Sequence, residues 1–191
     1  MKEFDFYLGK WRAMALLVLG RDASALQIFN QMQARWPQDT YVLASRAHLL
    51  MQAGQKQAAL ADSERLVALR PAHAHTWFNH GYLLEELGRF DEAETAFRRA
   101  TELSPQLDRA WYGLGLVLIR QQRYDEAVSA LKKNTELQPM SPYGWYQLAR
   151  VHIDRQQPEE AKKIIRHLKG FEPKIAAQLE RETGLLVGQV S

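Results

Sequence analysis

The chain has 191 residues, 46% of them hydrophobic and 25% charged, the composition of a globular protein of one domain or a short repeat array. It has no cysteine, which excludes a disulfide framework, a thiolate zinc site and a cysteine nucleophile. Its 25 basic and 22 acidic residues leave a net charge of +3, too even to single out nucleic acid or an anionic membrane as partner.

The first segment places Lys10 and Arg12 before the apolar run 13–19, and residues 23–25 are small, as at a signal-peptide cleavage site. Glu3, Asp5 and the interspersed aromatics oppose that reading, so the expected location is cytoplasmic. No apolar run approaches the ~20 residues of a spanning helix.

From here the chain repeats itself. Pro37, Pro71, Pro105, Pro139 and Pro173 are each 34 residues from the next, and Ala25, Ala59, Ala93, Ala127 and Ala161 keep the same step. Ala13, Ala47, Gly81, Gly115 and Ala149 form a third series in phase, and Trp77, Trp111 and Trp145 a fourth. A period of 34 is the sign of stacked helical hairpins. Within residues 108–121, Trp111, Leu114 and Leu118 make one helical stripe; within 124–137, Ala127, Leu131 and Leu137 make another. Gly115 and Ala127 are small where the two helices cross. Gly20, Gly54 and Gly88 stand between helices, where a left-handed residue is wanted, and Gln122 and Gln156 take that place later. The phased prolines are expected to end each second helix, whereas Pro158 suits the first position of one.

Trp77, His80, Gly81 and Leu84, followed by Ala93, Phe97, Ala100 and Pro105, resemble the tetratricopeptide repeat (TPR). So do Trp111, Leu114, Gly115, Leu118, Ala127, Leu131 and Pro139. The resemblance implies a single all-α domain, a right-handed superhelical solenoid. Its five helix-turn-helix units lie at about 6–39, 40–73, 74–107, 108–141 and 142–175. Residues 174–188, with Ile175, Leu179 and Leu186 on one face, read as a C-terminal capping helix.

The early units depart from the pattern. Arg12 and Arg46 occupy the usual leucine position, and both are expected to lay their stems on apolar surface with the charge in water. His80, His152 and Asn134 also stand at apolar positions and are expected to be hydrogen-bonded core residues.

The resemblance further implies that first helices line a concave groove that binds a peptide. Carried onto this chain, its lining includes Tyr7, Trp11, Tyr41, His48, His75, Phe78 and Asn79. Tyr82, Arg109, Tyr112, Tyr143, Tyr146 and Arg150 continue it. Aromatics and arginine are the usual binding hot spots. The carboxylate clamp of some family members would fall on Ala44, His48, Asn79, Arg109 and Gly113, of which only Asn79 and Arg109 keep suitable chemistry.

Chemistry of other kinds is not announced. His73, His75 and His80 do not converge as three ligands on one ion would need. HExxH, GxSxG and phosphate-loop patterns are missing. Asp91-Glu92, Asp125-Glu126 and Glu159-Glu160 recur at starts of second helices, where they favour the positive helix end. Arg98-Arg99, Lys132-Lys133 and Lys162-Lys163 read as solvated surface. The expected function is a non-enzymatic adaptor without metal or cofactor, binding a protein or peptide partner, as a monomer or weak homo-oligomer. An RNA-binding array and an accessory subunit of a larger enzyme or secretion assembly are the alternatives.

Overall fold

A computed structural model describes residues 2–188, among which there are eleven helices and no strand. The chain falls into two compact units, the first ending at Arg89 and the second beginning at Phe90. The first holds α1 (Lys2–Val18), α2 (Asp22–Arg35), α3 (Thr40–Gln52), α4 (Lys56–Leu69) and α5 (Ala74–Glu86). The second holds α6 (Phe90–Leu103), α7 (Asp108–Arg120), α8 (Tyr124–Leu137), α9 (Pro142–Asp154), α10 (Pro158–Lys169) and α11 (Pro173–Thr183). Within each unit every helix packs on the next in the chain.

The repeated residues do repeated work. Trp77, Trp111 and Trp145 donate their indole N–H to the carbonyls of Pro71, Pro105 and Pro139 at 2.9, 2.9 and 2.8 Å. The tryptophan and proline series are thus two ends of one hydrogen bond that closes each turn into a first helix. The residues before three of the prolines, Trp36, Arg70 and Gln138, have left the helical region, with φ near −131, −132 and −133°. This is the restriction that a following proline imposes. Pro173 behaves otherwise than expected: it opens α11, while α10 has already stopped at Lys169 before Gly170. Pro158 and Pro142 likewise open helices.

Gly20, Gly54 and Gly88 are left-handed (φ 66, 73 and 73°), and so are Gln122 and Gln156 (φ 59 and 57°). A side chain in that region costs ~1–2 kcal/mol, partly offset by the greater unfolded-state freedom of glycine. Gln122→Gly and Gln156→Gly should therefore each raise stability by about 0.5–1 kcal/mol, read from denaturant midpoints at constant slope. A loss of stability in both would show that the glutamine side chains hold these turns.

The polar residues at apolar positions are bonded. Asn134, 6% exposed, donates to the Asp108 carbonyl at 2.9 Å. Its Oδ1 fills the space that a β-carbon on Gly144 would need, which explains that glycine. His152 Nδ1 lies 2.9 Å from Gln157 Oε1, and His80 Nδ1 lies 3.1 Å from Ser63 Oγ. Arg12 is exposed, as expected. Arg46 is not: its guanidinium turns inward and forks onto Asp62, with Nε–Oδ2 and Nη2–Oδ1 both 2.6 Å. Asp62 is 1% exposed, so a buried ion pair ties α3 to α4 where the sequence suggested a solvated charge.

The paired acids do begin α6, α8 and α10. Most of the basic residues expected at the surface answer acids there: Arg98 bridges Glu94 and Glu126, and Lys162 and Lys163 pair with Glu159 and Glu160.

α11 covers the end of the second unit. Ala176 and Leu179 are fully buried against Ile164, Ile165, Leu168 and Leu148, with Ile175 at the edge. Leu186 is 84% exposed, contrary to expectation, because the helix ends at Thr183 and Gly184 turns left-handed. Val187 enters the core instead.

Glu180 fastens this tail, accepting from Lys169 Nζ at 2.8 Å and from the Val187 N–H at 2.7 Å, while Lys169 also donates to the Val187 carbonyl. The Lys169 hydrogen bond first, then the Val187 N–H, hold its carboxyl below the ordinary 4.5. A depressed carboxylate contributes stability above its unfolded value and loses it as pH falls through the folded one. Protection of α11 amides should therefore drop as pH falls below 4.5, and Glu180→Gln should flatten that dependence. An equal drop in the variant would assign the effect to other carboxylates.

Candidate peptide-binding cleft

In the first unit α4 packs against both α3 and α5 and leaves a cleft of about 250 Å³ between these two first helices. α3 turns Ala44, His48 and Met51 toward it, one face at helical spacing. α5 contributes His75, Thr76, Asn79, Tyr82 and Leu83. Ser63 and Leu66 form its floor, and Arg70 and His73 close one end from the turn between α4 and α5.

The rim is braced. His73 Nδ1 lies 3.0 Å from Thr76 Oγ1, and the His73 and His75 rings are 5.9 Å apart. Burial first, then the nearby charges of Arg70 and His75, holds His73 below its ordinary 6.5. With Thr76 on one nitrogen of His73 and Ser63 on one of His80, these rings are structural. Among the described residues no three His, Cys, Asp or Glu side chains are grouped to hold a metal ion.

His48, Asn79 and Tyr82 are exposed in the cleft, Tyr82 to 46%. The cleft lining contains Arg70 and three histidines but no carboxylate, beside the apolar Met51, Leu66 and Leu83. Such a surface suits a segment with an acidic or carboxylate group beside an apolar side chain.

Four residues expected from the sequence, His48, His75, Asn79 and Tyr82, meet here. Phe78 and Tyr41 belong to the same helices but do not line the cleft; Tyr41 lies under Lys10 Nζ, 4.2 Å from its ring centre. Tyr7 and Trp11 stand on α1, 58% and 74% exposed, also outside it. In the second unit Tyr112 packs against the core, and Arg109 and Tyr143 are exposed. Tyr146 and Arg150 are engaged within the protein. The Tyr146 hydroxyl donates to Glu182 Oε2 on α11 at 2.6 Å, and Arg150 Nη1 donates to that hydroxyl at 3.3 Å. At the remaining clamp position, Gly113, a β-carbon would lie 2.6 Å from the Phe97 ring, so no longer side chain fits.

Sequence reasoning missed Arg70 and placed His73 merely in a turn. Both are positioned by the helix stop before Pro71, which as a pattern signals only a turn.

Comparison with known proteins bears on the family and the fold. Two family profiles, each described as a tetratricopeptide repeat, match the chain, one over residues 45–108 and 80–135 and the other over 118–180. No curated protein sequence matches it. Among solved structures, the crystal structure of MamA superposes with a TM-score of 0.84 at 18% identity, covering 98% of this chain and all of that one. The 41-end form of MamA from Desulfovibrio magneticus RS-1 gives 0.80 at 19% identity, covering 95% and 98%. YrrB, described as a TPR protein with an unusual peptide-binding site, gives 0.76 at 17% identity over 88% of each chain. At these identities the likeness establishes the fold, an all-α helical repeat.

Proposed function

Because the chain belongs to the tetratricopeptide-repeat family, we propose that it captures a peptide segment of a partner protein in the cleft between α3 and α5. The fold is that of protein-interaction scaffolds, and the family is typically non-catalytic. No helix among the described residues is long and apolar enough to cross a membrane.

The observation that carries the reading is the cleft itself, where exposed His48, Asn79 and Tyr82 stand beside an apolar floor. Tyr82 offers contact area at small entropic cost, and Asn79 offers both a donor and an acceptor to a peptide backbone. Arg70 favours an acidic segment. The peptide-binding site described for YrrB belongs to a protein of the same fold and supports a peptide as ligand.

Selection of displayed random peptides against the full chain tests this. Acidic sequences with an apolar anchor are expected, and Asn79→Ala with Tyr82→Ala should weaken them at least ~10-fold, one or two hot spots' worth. Lys133→Ala, a solvated residue of α8, serves as control. Selected peptides that bind the double variant undiminished would exclude this cleft.

A further inference from the structure

The cleft between α3 and α5 has unlike ends. Lys56, which opens α4 after the turn that follows α3, donates to the Glu86 carboxylate at the end of α5 at 2.8 Å. The two first helices therefore finish side by side and run the same way. At their starting end stand Arg70, His73 and His75; at the far end stand Met51, Tyr82 and Leu83. His75 and Tyr82 are about 10 Å apart along the α5 axis, at 1.5 Å per residue.

The basic end is more than the turn requires. One period earlier the same three positions hold Trp36, Asp39 and Tyr41, and one period later Ser104, Leu107 and Arg109. All three turns close by the same backbone bond: Asp39, His73 and Leu107 donate to the carbonyls of Trp36, Arg70 and Ser104 at 3.2, 3.1 and 3.0 Å. Arg, His and His are thus not needed to make the fold.

Nor is their charge answered locally. No carboxylate lines the cleft; α3 adds only His48 to its titratable groups, α5 adds Tyr82, and Glu64, Arg65 and Glu85 lie outside it. The other nearby acids are engaged: Asp62 by Arg46, Glu86 by Lys56, and Asp39 by the Val42 N–H. His73 is held below 6.5, by burial first and then by Arg70 and His75, the sign of basic groups gathered without an anion.

Resting on the cleft as the peptide site, we propose that Arg70, His73 and His75 form a subsite for one side-chain carboxylate of an extended segment, whose apolar residue three or four positions away enters the Met51–Tyr82 end. At ~3.3 Å per extended residue, that spacing spans the cleft. A carboxylate among the imidazoles favours their protonated form, so binding takes up protons. Affinity then rises as pH falls from about 8 to 5.5, a range in which the ligand carboxylate stays ionised and Arg70 keeps its charge.

Selection of displayed peptides at about pH 6 and pH 8, with the selected sequences resynthesised with blocked ends, tests this. An acidic and an apolar residue three or four apart are expected, binding roughly 3–10-fold tighter at the lower pH. Replacing the peptide's acid by its amide should remove both the affinity and its pH dependence. Calorimetry in two buffers of different ionisation enthalpy should show net proton uptake. His73→Gln with His75→Gln should abolish that uptake with unchanged circular dichroism, since glutamine can keep the bond to Thr76. Peptides that need Asn79 and Tyr82 but carry no acid, or bind alike at both pH values, would overturn the subsite and leave the cleft standing. Uptake that persists in the double variant would assign it to His48 and also overturn it. An acid and an apolar anchor seven apart would mean a helical ligand and overturn the spacing. No peptide retained at either pH would overturn the cleft and the subsite together.

Discussion

Arg46→Ala should cost the first unit about 3–5 kcal/mol, because it strands the Asp62 carboxylate at 1% exposure without its counter-charge. The pair is asymmetric. The Arg46 side chain is 17% exposed and can reach water, so Asp62→Ala alone should cost less, about 1–2 kcal/mol. The later repeats show how the pair could be dispensed with. One and two periods after Asp62 stand Ala96 and Ala130, and two and three periods after Arg46 stand Leu114 and Leu148. Combining Arg46→Leu with Asp62→Ala replaces a buried ion pair by apolar contact, which is often neutral or stabilising. The double variant is therefore expected within about 1 kcal/mol of wild type. Denaturant unfolding of the wild type, the two single variants and the double variant measures each of these differences. A loss below ~1 kcal/mol in Arg46→Ala would mean that the pair does not hold α3 on α4.

The second large effect is at α11. Leu179→Ala should lower the stability of the second unit by about 3 kcal/mol, the usual cost of a cavity at a fully buried leucine. Removal of everything after Pro173 should cost more, since it takes Leu179, Ala176 and Val187 together from Ile164, Ile165 and Leu168. The bared face of α10 should then drive association of the truncated chain. Hydrogen exchange should report both changes in α9 and α10, with sedimentation for the truncated form. Unchanged protection in α10 on truncation would make α11 a tail and not a cover.

Much of the candidate site was legible once positions were counted within the period. The family resemblance, carried over position by position, pointed to His48, His75, Asn79 and Tyr82, and these four line one cleft. Register says which way a side chain leaves its helix, but not what meets it there. Tyr146 and Arg150 share the face expected for a groove, yet Glu182 reaches them from α11, outside the repeat. Arg70 and His73 enter the cleft from a turn, where no helical register applies.

The sequence by itself determined the helices, their period and their turns. Phased alanines, glycines and prolines act through their own backbone and volume, so their effect is local and readable one residue at a time. The left-handed Gln122 and Gln156 were legible for this reason, taking the place of Gly20, Gly54 and Gly88. Only the tertiary structure decided how the odd polar residues are satisfied. Arg46 finds Asp62 sixteen residues away and His80 finds Ser63 seventeen away, each partner standing where later repeats carry an apolar residue. A buried charge or hydrogen-bonding group needs a partner from another helix. That partner is chosen by which helices pack together, and a pattern along one chain does not contain this.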